Sequence, residues 1–104
     1  MSQLNQLNSV IIEGDVESIA ATTNCSIIMQ LKNRYKGSTA IYSVTVHQER
    51  TIEAVWRWYE SKARKDSAFA GGLRIVGHLE TTPEHGLAIC AEHIEFKQKK
   101  RIAS

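Results

Sequence analysis

The hydrophobic period of this sequence switches twice, and the switches limit the folds open to it. Ser9 to Val16 alternates around Val10, Ile12, Gly14 and Val16, the mark of a half-buried strand. Cys25 to Leu31 alternates again, with Cys25, Ile27, Met29 and Leu31 on one face. Lys32 to Gly37 is polar, ends in glycine and reads as a hairpin tip, and Thr39 to His47, β-branched and carrying Tyr42, is a third strand. Then Ile52, Val55, Trp56, Tyr59 and Ala63 recur at helical spacing, which predicts an amphipathic helix over Thr51 to Lys65 with Thr51 as its cap. Gly71-Gly72 breaks that pattern; Leu73 to Glu80 is a fourth strand, Thr82 to Gly86 a turn, and Leu87 to Phe96 a fifth strand.

The order β-β-β-α-β-β is that of an all-β, five-stranded oligonucleotide/oligosaccharide-binding (OB-fold) barrel with one helix between strands 3 and 4. Gly14 and Gly77 fall inside strands, where a small barrel bends sharply. A chain of 104 residues suits one such domain over 1–104, with an ordered core over 7–97 and a basic end over 97–104. Apolar residues at 42% and charged residues at 23% exclude disordered and disulfide-framework classes. Apolar runs such as Val10-Ile11-Ile12 are far short of a membrane span, and the first residues lack the basic and apolar regions of a secretory signal, so a cytoplasmic protein is expected.

Catalysis and cofactors find little support. Cys25 and Cys90 read as reduced core or sheet residues, with no Cys-x-x-Cys and no Cys/His ligand spacing, so neither metal nor cofactor is expected. His47, His78, His85 and His93 are scattered over separate strands and a turn, and the adjacent Glu92 and His93 point to opposite faces of a strand. The expectation is a protein that is not an enzyme.

Two segments give a more specific lead. Leu7-Asn8-Ser9-Val10-Ile11-Ile12-Glu13-Gly14-Asp15-Val16 resembles the opening strand of the bacterial single-stranded DNA-binding protein family. Leu73-Arg74-Ile75-Val76-Gly77-His78-Leu79-Glu80, followed by Ala91-Glu92-His93-Ile94-Glu95-Phe96, resembles its last two strands, and Asn33-Arg34-Tyr35 is similar to the end of its second. The chain departs from the family in several places. The connection Glu17 to Asn24 is short and lacks glycine, the strand 4–5 hairpin shrinks to a turn at Pro83, and Ile41-Tyr42 stands near the family's third-strand tryptophan. The helical segment is longer, and the family's Gly/Pro-rich acidic tail has no counterpart. The resemblance is thus to a tail-less, loop-reduced relative, comparable in architecture to primosomal replication protein N.

Single-strand binding without sequence preference needs cations along the backbone path and flat rings for base stacking. Lys32, Arg34, Tyr35 and Lys36 supply both in one hairpin tip, and Tyr42 extends the platform, although any hairpin tip collects solvated cations. Lys62, Arg64 and Lys65 are either phosphate contacts or a solvated helix end, and the basic end from Lys97 is either an added footprint or a solubilising tail. Trp58 sits about 120° from the centre of the apolar stripe, which points to a partner contact, or to partial burial under the loop at Phe69. That suggests the alternative of a protein-binding adaptor in a replication complex. Four phosphate contacts would give a salt slope of only about −2.8 for single strands, so several barrels would have to act together. The resemblance implies such a homo-oligomer, with a tetramer favoured over a dimer, serving DNA replication, recombination or repair. Apolar positions at Ile11, and at Tyr42 with Val44 and Val46, supply the surplus surface.

Overall fold

A computed structural model describes residues 6–22, 25–63 and 72–97 of the chain. Five strands, β1 (Val10–Ala21), β2 (Ile27–Tyr35), β3 (Ser38–Val46), β4 (Leu73–Thr82) and β5 (Gly86–Phe96), surround the core, with one helix, α1 (Glu49–Ala63), between β3 and β4. They close into a barrel in the order β1-β2-β3-β5-β4. The β3–β5 pairing is parallel and short, joining only Val44 to Ile89 and Thr45 to Cys90. Each of the other pairings is antiparallel and longer. This is the OB-fold architecture expected from element order.

Alternation selects the core. Met29, Leu31, Val44, Val46, Leu73 and Ile75 point inward and are fully buried, joined by Val55 from α1. Val44 and Val46, expected to offer surplus apolar surface, are thus consumed by the core, whereas Ile11 stands outside at 70% exposure.

Two glycines permit the closure. A Cβ on Gly14 would strike the Lys32 carbonyl oxygen, and one on Gly77 would strike that of Cys90. Gly77 also sits at a shift in the β4–β5 register, the local kink that wraps a sheet into a barrel. Asn8 fastens the start of β1 by a two-way amide pairing with the Leu79 backbone, both bonds at 2.9 Å.

Several boundaries differ from expectation. The β1 strand does not stop at Val16: a register shift between Val16 and Ser18 lets it run to Ala21, so most of the expected loop is strand. The β2 strand starts at Ile27, and Cys25 is an exposed residue at φ 59 rather than a core strand residue. Helix α1 begins two residues before Thr51, and Gln48, whose carbonyl accepts from Ile52 N at 2.9 Å, takes the capping place assigned to Thr51.

Trp58 is the largest correction. It is 3% exposed and its ring lies 6.0 Å from that of Phe96, at the end of β5. Val55 and Trp58 are about 60° apart on the helix circumference, so α1 is turned until both enter the core. Ile52, Trp56 and Tyr59 are left on its half-buried flank. The apolar stripe marked the helix correctly but misplaced its centre. The proposed adaptor surface therefore loses its aromatic anchor.

Candidate functional site

The β2–β3 hairpin turns on Lys36 and Gly37, both at positive φ (50° and 79°), the two-residue turn whose twist matches its strands. Register then decides which side chains share a face. Leu31 is buried, so Asn33 and Tyr35 follow it on the inner face, while Lys32 and Arg34 point outward. Tyr42 pairs with Leu31 and also lies on the inner face. The two rings are therefore on one side of the hairpin, beyond the closed core, with Tyr35 66% and Tyr42 40% exposed.

The cations expected beside them divide between the two sides. Lys32 Nζ is 3.4 Å from Glu17, and Arg34 is 3.9 Å from Asp15, so two acids of β1 partly neutralise the outer face. Lys36, at the tip, stands 5.4 Å from the centroid of the Tyr35 ring and stays with the rings. The Arg64 and Lys65 positions, and the basic end beyond Lys97, lie outside the described residues, as does the Lys62 side chain. Lys97 itself is drawn to Glu13, at 2.9 Å.

Of the two rings, Tyr42 lines a groove, while Tyr35 lies farther along the hairpin, outside its lining. Tyr42, Ile41 and Ser43 of β3 form one wall, Leu79, Leu87 and His85 of the β4–β5 arm form the other, and Val10 and Ile12 line it from β1. Phe96 marks the opposite end of β5, where α1 packs, so the groove opens at the end that the helix leaves free. Exposed Leu79 and Leu87 in this wall were not singled out from sequence, because nothing in the alternation shows that β4 and β5 extend past the barrel.

Beyond this arm lies a second cleft, lined by Ser26, Thr45, His47, Glu80 and His85 among others. Ser26 Oγ is 2.7 Å from His47 Nδ1, Thr45 Oγ1 donates to Glu80 at 2.9 Å, and His47 Nε2 is 3.6 Å from Glu80. Burial pushes the Glu80 carboxyl up, but the hydrogen bonds from Thr45 and His47 outweigh it and hold the group below its ordinary value. Burial, with Glu80 beside it, pushes the Cys90 thiol up. The sequence spacing of 47, 80 and 90 carries no ligand motif; barrel closure alone brings these residues together.

No protein-family model and no curated protein sequence matches the chain. Solved structures do match. A small single-stranded DNA-binding protein from Mycoplasma pneumoniae is similar over 93% of this chain and 100% of its own, with TM-score 0.62 and 24% identity. The mitochondrial single-stranded DNA-binding protein of S. cerevisiae covers 92% of this chain and 100% of its own, with TM-score 0.64 and 15% identity. For a small single-stranded DNA-binding protein of Streptomyces coelicolor the shares are 91% and 96%, with TM-score 0.57 and 17% identity. The class of protein is thereby defined at the level of fold. The chain is an OB-fold barrel of the form seen in small single-stranded DNA-binding proteins.

Proposed function

We propose that this protein binds single-stranded DNA with little sequence preference, bases stacking on Tyr42 in the groove between the β2–β3 and β4–β5 arms and on Tyr35 farther along the same hairpin face. The observation that carries the reading is the placement of both rings on the inner face of one hairpin, exposed beyond the core. They stand about four strand residues apart, roughly 13 Å, a span that a short run of nucleotides covers. Loops and strands in this part of an OB barrel are where oligonucleotides lie in the fold generally. The three similar structures, each of a single-stranded DNA-binding protein, support the same reading.

Stacking is the larger contribution in this scheme. In it Lys36, beside the Tyr35 ring, meets phosphate, while Lys32 and Arg34 contribute only when their acidic partners release them. Affinity per barrel is then modest, and a homo-oligomer, four chains ahead of two, supplies a longer path. Ile11, exposed on β1 and paired with Val76 of β4, is apolar surface available for such contacts. The chemistry is binding, in service of DNA replication, recombination or repair, with no reaction of its own. The test is titration of labelled oligo-dT by anisotropy, with molar mass measured alongside. Saturable binding lost on combined Tyr35→Ala and Tyr42→Ala substitution supports the proposal; equal affinity of that variant and the parent refutes it.

A further inference from the structure

The seam between β3 and β5 is the weakest closure of the barrel, two residue pairs long. At its end three different donor types converge from three separate places in the chain. His47 follows β3, Glu80 belongs to β4 and Cys90 to β5, and one ligand atom from each lies within 4.8 Å of the others. We propose that His47, Glu80 and Cys90 form a zinc-binding site that staples this seam, with a fourth position open to water from the adjoining cleft.

The donor set is one that zinc takes readily: an imidazole nitrogen, a carboxylate oxygen and a thiolate sulfur. Tetrahedral zinc with bonds of about 2.0–2.3 Å holds its ligand atoms roughly 3.4–3.6 Å from one another. His47 Nε2 and Glu80 Oε1 already stand at 3.6 Å and all three ligand atoms lie within 4.8 Å of one another, so closing on an ion needs only small side-chain movements.

Orientation is provided in advance. The Ser26 hydroxyl holds His47 through Nδ1, leaving Nε2 turned toward Glu80, and the Thr45 hydroxyl holds the carboxylate. An oxygen that accepts from the other ring N–H is what fixes the tautomer and direction of a metal-ligating histidine, and Ser26 Oγ is in reach to do so. The cleft of about 230 Å³ beside the cluster gives an ion and its water a path in, and His85 lines the same cleft.

The site lies on the opposite side of the β4–β5 arm from the Tyr42 groove, so this inference does not depend on DNA binding. Its test uses the full chain with Cys25→Ser, which removes the other, exposed thiol. Cobalt(II) titration is expected to give one equivalent per chain with a thiolate charge-transfer band in the near ultraviolet, and zinc is expected to displace it. That band disappears in Cys90→Ser. Zinc is also expected to raise the thermal midpoint of the parent but not of His47→Gln. Ser26→Ala, which leaves all three ligands in place, should weaken cobalt binding about 10- to 100-fold. A band that survives Cys90→Ser, no band at one equivalent, or an equal thermal shift in His47→Gln would overturn the site.

Discussion

Tyr42 stands directly opposite Leu31 in the β2–β3 ladder, so one pair of facing side chains spans the boundary between core and groove: Leu31 is fully buried and Tyr42 is 40% exposed. Substitution should separate the two roles. Leu31→Ala is expected to cost about 2–5 kcal/mol of stability. Tyr42→Ala should weaken oligo-dT binding by about 1–3 kcal/mol while moving the unfolding midpoint much less. Tyr35→Ala should show the same loss of binding with a smaller structural effect, since its ring is the more exposed. Denaturant titrations run beside oligo-dT titrations measure both; a Tyr42→Ala chain that binds like its parent would take that ring out of the path.

The ion pairs of the outer β1–β2 face hold back two cations. Lys32 lies against Glu17 and Arg34 against Asp15. Exposed pairs of this kind contribute about 0–1 kcal/mol to folding, so removing the acids should leave the fold intact. The double variant Asp15→Asn, Glu17→Gln is expected to bind oligo-dT more tightly at low salt. If both freed cations reach phosphate, the slope of log affinity on log salt should steepen by about 1.4. A slope unchanged from the parent would mean that the strand does not cross this face.

These two cases also show what the sequence makes legible. Alternation identified all five strands, and the helical spacing placed α1 between β3 and β4, because a buried face leaves a local imprint on composition. Gly14 and Gly77 could be read as bending points for the same reason. Trp58 could not be read correctly, since the rotation of α1 about its axis depends on its packing against a core drawn from strands distant in sequence, Phe96 included. The division of Lys32 and Arg34 from Tyr35 was in principle readable from period two. Reading Lys32 to Gly37 as a hairpin tip hides it, because β2 continues its alternation through Tyr35. The cluster of His47, Glu80 and Cys90 depends on the parallel β3–β5 seam, a contact with no local signature.

Gly77 gives a sharp test of barrel closure. An added methyl group there meets the carbonyl of Cys90, a backbone atom that cannot swing aside as a side chain would. Gly77→Ala is expected to destabilise the protein by about 3 kcal/mol, at the upper end of overpacking costs, read from the urea midpoint. Alanine at Gly37 meets no atom within 4 Å and carries only the strain of a positive φ, so its effect should be smaller. Equal effects at the two positions would contradict the close strand approach at Gly77.

Trp58 should behave as a core residue. Trp58→Ala removes a large ring from beside Phe96 and is expected to cost about 3–5 kcal/mol. Trp58→Phe keeps a ring in the pocket and should recover most of that loss. Full stability of Trp58→Ala in a denaturant titration would return this side chain to the surface and revive the adaptor reading.

Acid sensitivity should centre on Glu13. Its carboxylate sits between two cations, Lys97 Nζ just past β5 at 2.9 Å and Arg74 of β4 at 3.0 Å, with Arg74 also reaching Glu95 at 3.3 Å. Hydrogen bonds from Lys97 first and Arg74 next hold Glu13 below its ordinary value of 4.5 in the folded protein. A carboxylate whose folded value is depressed binds its proton more readily in the unfolded chain. Its stabilising contribution is therefore complete above about pH 4.5 and is lost as the pH falls through the lower folded value. Glu13→Gln should accordingly be less stable than the parent at neutral pH, with the difference narrowing as the solution is acidified below that range. High salt should shrink the difference too, because the group is open to solvent. Thermal midpoints of the two proteins measured from pH 7 down to about pH 3 provide the check, and a gap that stays constant or widens toward acid would show that Lys97 and Arg74 do not act on Glu13 as a charge.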